Sequence, residues 1–364
     1  MSCVNNSKNS HTSFLFMGLF SVALIASAAT PAHATGFNKT GSMNAARENH
    51  TATRLANGQV LVTGGDNFTV GSLASAELYN PATGNWTLTG SMSVPRFDHE
   101  AVLLQNGQVL VAGGCCNGTD SLSSAELYNP ATGTWTPTGS MTIGRNSFLM
   151  ISLPNGQVLA AGGGQLTSSE LYNPATGTWT ATGSMISGGG TGVLLQNGDV
   201  FALTELYNPT TGTWASTARD PIGVGSPIAL LPTGDVFAGG GIQGNSIYHP
   251  SSDQWTNFAP PPCTTMRQNC EGGGALLTTG KVLVAGGITE VPGQPYPTAE
   301  TNGIASLLDP STLTWASTPS MKVSRVGETV TVLLNGQVLF AGGETFEKSR
   351  GALTPIADAE LYKP

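Results

Sequence analysis

Residues 57–86 read NGQVLVTGGDNFTVGSLASAELYNPATGNW. The stretch opens on Asn-Gly, a pair that takes up positive φ at little cost, and so closes a two-residue hairpin between an inner strand, HTATRL, and QVLVTGG. After the Gly pair comes AELYNP, which alternates as a half-buried strand does. PATG then supplies a turn, and Trp86 leads a fourth strand.

The pattern returns along the chain. Hairpin starts stand at Asn57, Asn106, Asn155, Asn197, Thr233, Thr279 and Asn335. Third strands follow as AELYNP at 76 and 125, SELYNP at 169, TELYNP at 204, NSIYHP at 245, ASLLDP at 305 and AELYKP at 359, and Trp86, Trp135, Trp179, Trp214, Trp255 and Trp315 head the fourth. Four antiparallel strands with a period of about 50 residues imply the blade of a β-propeller, since one blade alone cannot bury both its faces. The fold class is therefore all-β, a seven-bladed propeller of four-stranded antiparallel blades. The seventh copy stops at Lys363-Pro364, just after its third strand, whereas TGFNKTGSM at 35–43 matches GNWTLTGSM at 84–92 and has no body before it. Phe37 stands where Trp86 stands. The N-terminal strand is thus expected to complete the last blade and close the ring, which removes two exposed sheet edges.

The Gly pair ending the second strand, the Tyr in the third and the Trp opening the fourth resemble the kelch repeat over nearly all of residues 35–364. The wording NGQVLVAGG with SAELYNPATGTW is most similar to bacterial exported kelch proteins and to the propeller of the galactose-oxidase-like family. That resemblance implies the fold and leaves function open, because propellers host unrelated activities. The family's copper site needs two His, two Tyr and a Cys joined to one Tyr. Here only Tyr248-His249 pairs a Tyr with a His, in the outer-strand slot away from the channel, and the chain ends with the seventh blade, so no catalytic residue is carried over.

Lys8 without an acid precedes an apolar run from Phe14 to Ala29, and Ala32-His33-Ala34 has the small-x-small form of a signal-peptidase site. Residues 1–34 read as a signal peptide and 35–364 as the propeller, placing the protein outside the cytoplasm, secreted or periplasmic. The run falls short of the roughly 20 residues a bilayer needs, so no transmembrane anchor is expected. The chain carries 14 basic and 22 acidic residues, for a net charge of -8. The scattered, outnumbered basic residues argue against nucleic acid, whose binding rests on clustered Lys and Arg at phosphates.

The Asn-Gly and Pro-Ala-Thr-Gly turns lie at one end of every blade, short and nearly uniform, leaving no room for specialisation. The opposite face holds what varies: ITEVPGQPYPTAETNGI from Ile288 in blade 6, ETFEKSRGALTPIAD from Glu344 in blade 7, and in blade 4 VFALTELYNP, which loses both Gly pair and loop. Binding residues collect on loops held by a rigid scaffold, and aromatic rings beside polar groups suit sugar faces or protein hot spots, which singles out Tyr296 and Phe346.

Arg47, Arg96, Arg145 and Arg325 each precede a hairpin start by the same interval, and Glu77, Glu126, Glu170, Glu205 and Glu360 recur as regularly. They are either buried pairs that fix blade geometry or a polar rim for an anionic or sugar ligand. His50, His99 and Glu328 share one register in three blades that closure makes neighbours, the ligand set of a catalytic copper or zinc site, although Phe148 fills the same slot in blade 3. The Gly pairs and the Trp and Tyr residues read as packing. In an oxidising compartment Cys263 and Cys270 bracket one inter-blade loop as a disulfide, whereas adjacent Cys115 and Cys116 form either a strained bridge or separate thiols.

The chain therefore reads as an exported, monomeric binding module that engages a protein or glycan through its loop-rich face, with no cofactor expected. The alternative is an enzyme, a metal-dependent oxidase or a sugar-processing lyase or epimerase, at the His50, His99, Glu328 end of the channel.

Overall fold

The computed structural model describes residues 35–364 except 117–120, 203, 221, 223–226, 240–243, 263–267, 270–271, 292–297 and 348–351. The chain divides into residues 1–34 and a unit Thr35–Pro364, and the second is the propeller. Residues 1–34, Tyr296, Cys263 and Cys270 thus lie outside the described residues. Cys115 and Cys116 are described and are not bridged to one another.

Seven four-stranded antiparallel sheets form the ring. Blade 1 runs Thr51–Arg54, Val60–Thr63, Ala76–Asn80 and Asn85–Leu88 from the channel outward. Blades 2 to 6 repeat that order, with innermost strands Glu100–Leu103, Leu149–Ser152, Val193–Leu194, Ile228–Leu230 and Gly273–Leu276. Blade 7 takes Thr329–Val332, Val338–Ala341 and Ala359–Lys363 from the C-terminal end of the chain, and Gly36–Lys39 as its outermost strand. Phe37 pairs with Tyr362 as Trp86 pairs with Tyr79, so closure by the N-terminal strand holds in register. Its ring, 2% exposed, sits 5.0 Å from Tyr362 and 5.1 Å from Phe340.

The hairpin turn differs from the expected two-residue form. Leu55 N–H donates to the Gln59 carbonyl at 2.8 Å and Gly58 N–H to the Leu55 carbonyl at 3.0 Å, so three residues form the loop. Gly58 lies at φ 86°, the left-handed residue that ends a type I turn in a three-residue hairpin, and Asn57 Oδ1 accepts the Gln59 N–H. Asn-Gly was the right signal because both loop forms need a left-handed residue.

The cores lie between blades rather than within them. Leu55, Leu61 and Met92 of blade 1 and the link after it pack on Val109, Val111 and Tyr128 of blade 2, and Leu110 and Ala112 pack on Phe148, Met150 and Val158 of blade 3. Each blade therefore buries its second face only on its neighbour. Trp indoles bind the seams: Nε1 of Trp86, Trp135 and Trp179 donates to the carbonyl of Gly41, Gly90 or Gly139 at 2.7, 2.7 and 2.8 Å. The Gly pair serves the same close packing. A Cβ on Gly64 would run into the Arg96 carbonyl and the His99 ring, both from the next blade.

Candidate functional site

The four arginines meet the regular glutamates in buried pairs. Arg47 Nη2 donates to Glu77 Oε1 at 2.9 Å and to Ser75 Oγ at 3.1 Å, while Nη1 donates to the Gly64 carbonyl at 2.6 Å. The other oxygen of Glu77 accepts the Asn44 N–H at 2.7 Å. One ion pair thus joins the incoming link, the Gly pair and the third strand. Arg96–Glu126, Arg145–Glu170 and Arg325–Glu360 repeat it at 3.2, 3.2 and 3.1 Å. All four arginines are fully buried. Burial pulls each guanidinium pKa down and the paired carboxylate opposes that shift.

His50, His99 and Glu328 each turn toward the Gly pair of the preceding blade, next to Gly342, Gly64 and Gly286 in turn. His50 Nε2 lies 3.0 Å from Thr329 Oγ1, His99 Nε2 lies 3.0 Å from Thr51 Oγ1 and 3.2 Å from Thr63 Oγ1, and Glu328 Oε1 accepts the Gly273 N–H at 3.0 Å. The three occupy successive seams, one per seam. Burial and the nearby Arg47 charge press the His50 pKa down to about 3, and His99 is likewise held well below its usual value. Burial lifts Glu328 to about 7. Among the described residues no three His, Cys, Asp or Glu side chains gather as a metal would need, so the donor set does not fit a copper or zinc centre.

The channel mouth carries a carboxylate group that the sequence reading missed. A cavity of about 560 Å³ opens there, lined by Asn49, Thr51, Asp98, Glu100, Ser147 and Thr329 among others. Asn49, Asp98 and Ser147 all adopt left-handed φ, 49°, 51° and 46°. In that conformation Asp98 N–H reaches the Asn49 carbonyl at 3.1 Å and Ser147 N–H the Asp98 carbonyl at 2.9 Å, a belt of backbone bonds from blade to blade. Glu48 sits beside Glu344, Asp66 and Asp98; burial first and then these like charges raise its pKa to about 8. Burial and Asp98 raise Glu100 to about 8 as well. Aligning the residue after each periodic Arg with the one after each Gly pair would have found Glu48, Asp66 and Glu344, since Glu48 pairs with Asp66, and Val326 with Glu344, as isolated bridges.

The rim above is uneven. In blade 6, Ile288–Val291 pairs with Thr298–Thr301 and with Gln268–Asn269; in blade 7, Glu344–Glu347 pairs with Ala352–Pro355. Thr301 Oγ1 accepts the Phe346 N–H at 3.2 Å and joins the two into one wall. Phe346 is half-buried there. Blade 1 adds the hairpin Asp66–Asn67 with Gly71–Ser72, whose tip leaves Phe68 and Val70 59% and 69% exposed. Three blades away, blade 4 passes from Val200–Ala202 almost directly to Glu205–Asn208.

Residues 50–93 and 101–142 match the kelch motif. No curated protein matches the sequence. Among solved structures, a fungal alcohol oxidase of the AA5 family, in complex with copper, superposes with a TM-score of 0.67 at 16% identity, over 90% of this chain and 75% of that one. YjhT superposes with a TM-score of 0.55 at 15% identity, over 88% and 96%. The class is thus a seven-bladed propeller carrying kelch motifs, similar in fold to a galactose-oxidase-like enzyme.

Proposed function

We propose that this protein is an interaction module that docks a partner on its loop-rich face, in the hollow between the wall of blades 6, 7 and 1 and the low rim at blade 4. The observation that carries the reading is the rim itself. The ring ends in one tall side bearing exposed Phe68 and Val70 and one low side near Ile186, which is 61% exposed in the link between blades 3 and 4. Large apolar side chains beside polar loops are the usual anchors of protein interfaces. A glycan or protein at a cell surface is the partner that fits an exported chain, and export itself belongs to this proposal. The AA5 oxidase supports the fold, whereas the side chains here lack a copper-holding group among the described residues.

The test is a surface and glycan-array screen with the full chain, repeated with Phe68→Ser, Val70→Ser and Phe346→Ala combined. Loss of the partner at unchanged melting temperature is expected. Binding that survives the triple substitution, or no partner from either screen, would sink the reading. Recovery of the chain outside the cytoplasm with Thr35 at its N-terminus checks export separately.

A further inference from the structure

The opposite end of the ring, where uniform turn lengths leave no apparent room, contains a cavity of about 530 Å³ in the seam between blades 5 and 6. The same seam position between blades 2 and 3 shows what the unmodified repeat makes: a cleft of about 450 Å³ lined by Gln105, Asn106, Asn155, Gln157 and Asn173. There Gln105 lies over the turn of blade 3, with Nε2 3.5 Å from the Pro154 carbonyl and its side-chain oxygen 3.2 Å from where a Cβ on Gly156 would sit. Pro232 replaces that arm in blade 5, and a Cβ on Gly280 would meet nothing within 4 Å.

The departures from the repeat cluster at this place. His249 stands where the third strand otherwise ends in Asn80, Asn129, Asn173 or Asn208, and Asp235 and Lys281 stand where Gln59, Gln108 and Gln157 do. Leu313 takes the turn position of Gly84, Gly133 and Gly177 and is held at φ 55°, a conformation that costs a branched side chain free energy. The cost is met where Leu313, Leu231 and Ile247 form an apolar floor.

Around that floor the polar groups divide into a fixed side and an open side. In blade 5 Thr233 Oγ1 donates to Asp235 Oδ2 at 2.8 Å, Asp235 Oδ1 lies 2.9 Å from His249 Nδ1, and His249 Nε2 lies 3.0 Å from Thr256 Oγ1. The imidazole is thereby locked in place. Across the seam, the side chains of Thr279 and Lys281 make no hydrogen bond among the described residues, while Asp309 Oδ1 accepts the Ser311 N–H at 3.0 Å and the Ser311 hydroxyl at 2.6 Å, with Lys281 a weaker charge partner. Asp235 and Asp309 stand against Lys281 alone, so the lining has one carboxylate in excess and disfavours anionic ligands. The Thr279 and Lys281 donors and the second oxygen of Asp309 over an aliphatic floor suit the hydroxyls and C–H face of a sugar ring, and the volume falls within the range of small-molecule sites.

We infer that this seam is a binding site for a neutral polyhydroxylated ligand of monosaccharide size, its ring on Leu231, Ile247 and Leu313 and its hydroxyls on Lys281, Thr279 and Asp309. The site is independent of the loop-rich face and lies at the other end of the blades. The experiment titrates the full chain with D-glucose, D-galactose and N-acetyl-D-glucosamine, and with D-glucuronate and L-leucine as charged counterparts, following amide shifts by NMR. His249→Asn, Lys281→Gln and Leu313→Gly each restore the residue of the other blades and so keep the fold. Saturable binding of at least one neutral sugar is expected, weakened more than about tenfold by Lys281→Gln or Leu313→Gly, and unaffected by Asn106→Thr in the seam of blades 2 and 3. Absence of binding by all three sugars, binding that persists when the three reversions are combined, or binding of glucuronate or leucine alone would each overturn the inference.

Discussion

Blades 1, 2, 3 and 7 hold their incoming links with one buried device, an arginine clamped between a glutamate and the carbonyl of a Gly pair. Blades 4, 5 and 6 lack the arginine. In blade 4, Glu205 still waits at the third strand, and Ser187 answers it with its backbone N–H at 2.6 Å and its hydroxyl at 2.5 Å. In blade 5 the carboxylate has changed sides: Asp220 of the link accepts from Ser246 Oγ at 2.8 Å and Asn257 Nδ2 at 2.9 Å. In blade 6 Ser306 is buried where the glutamate stands elsewhere. A buried ion pair punishes the loss of either partner, so the regular blades are locked to one geometry, whereas a carboxylate held by several N–H and O–H donors, as in blades 4 and 5, can lose one donor and keep the others. The low rim, the widened turn-end seam and the blade 6 part of the tall wall belong to the blades without the lock, whereas its blade 7 and blade 1 parts stand on locked blades.

The comparison breaks most visibly at blade 7, the regular blade assembled from both ends of the chain. Deleting residues 35–43 should bare the edge of Ala359–Lys363 and turn a monodisperse protein into an aggregating one, read by light scattering. Phe37→Ala should cost about 3 to 5 kcal/mol in denaturant unfolding, and Phe37→Trp should keep the stability. A deletion variant that melts like the parent would mean the ring closes elsewhere.

The lock itself is tested next. Arg96→Met leaves Glu126 buried without its partner and should lose about 3 to 5 kcal/mol, while the double change to Arg96→Met and Glu126→Leu should recover most of it. Ser187→Ala in blade 4 removes only a hydroxyl and should cost about 1 to 3 kcal/mol. Equal losses in the two blades would erase the distinction drawn between them.

The smallest effect is in pH. Glu48 and Glu100 titrate at about 8 in the folded chain against a usual 4.5, so the fold favours their protonated forms. Their contribution to stability is complete below pH 4.5 and is lost as pH rises through 8. His50, at about 3 against a usual 6.5, acts oppositely, its contribution present above 6.5 and lost as pH falls. Between pH 6.5 and 8 the carboxyl groups therefore act alone, and the melting temperature should fall by a few degrees across that window. Glu48→Gln should flatten the fall; an unchanged slope would show that the mouth carboxylates do not couple to folding.

The ring, the strand order and the closing role of Phe37 were legible because each depends on a short pattern repeated in register: Asn-Gly, LYNP, Trp. Spacing also placed His50, His99 and Glu328 at one level, but spacing gives height along the channel and not which way a side chain turns. Each turns into its own seam, because the Gly pair of the preceding blade leaves a slot there. The carboxylates at the mouth escaped notice because Glu48 and Asp66 come together only through an isolated bridge between two loops. The pocket between blades 5 and 6 was hidden for a further reason. His249, Lys281 and Leu313 look like a fading repeat when read one blade at a time, and they acquire meaning only when the walls of two blades face each other.

Closure by Gly36–Lys39 also sets the order of events during synthesis. This strand is made before every other strand of the propeller, yet its ladder partner among the described residues, Ala359–Lys363, is made more than three hundred residues later. Through that interval blades can dock one upon the next as they emerge, while the first segment of the propeller trails as an unpaired strand with Phe37 uncovered. The final step is a search by one end of the chain for the other. Its entropic cost grows only with the logarithm of the loop, and the stacking of blades 1 to 6 has by then brought the two ends to the same gap. The interval before capture is when the chain is most open to joining with a second copy of itself.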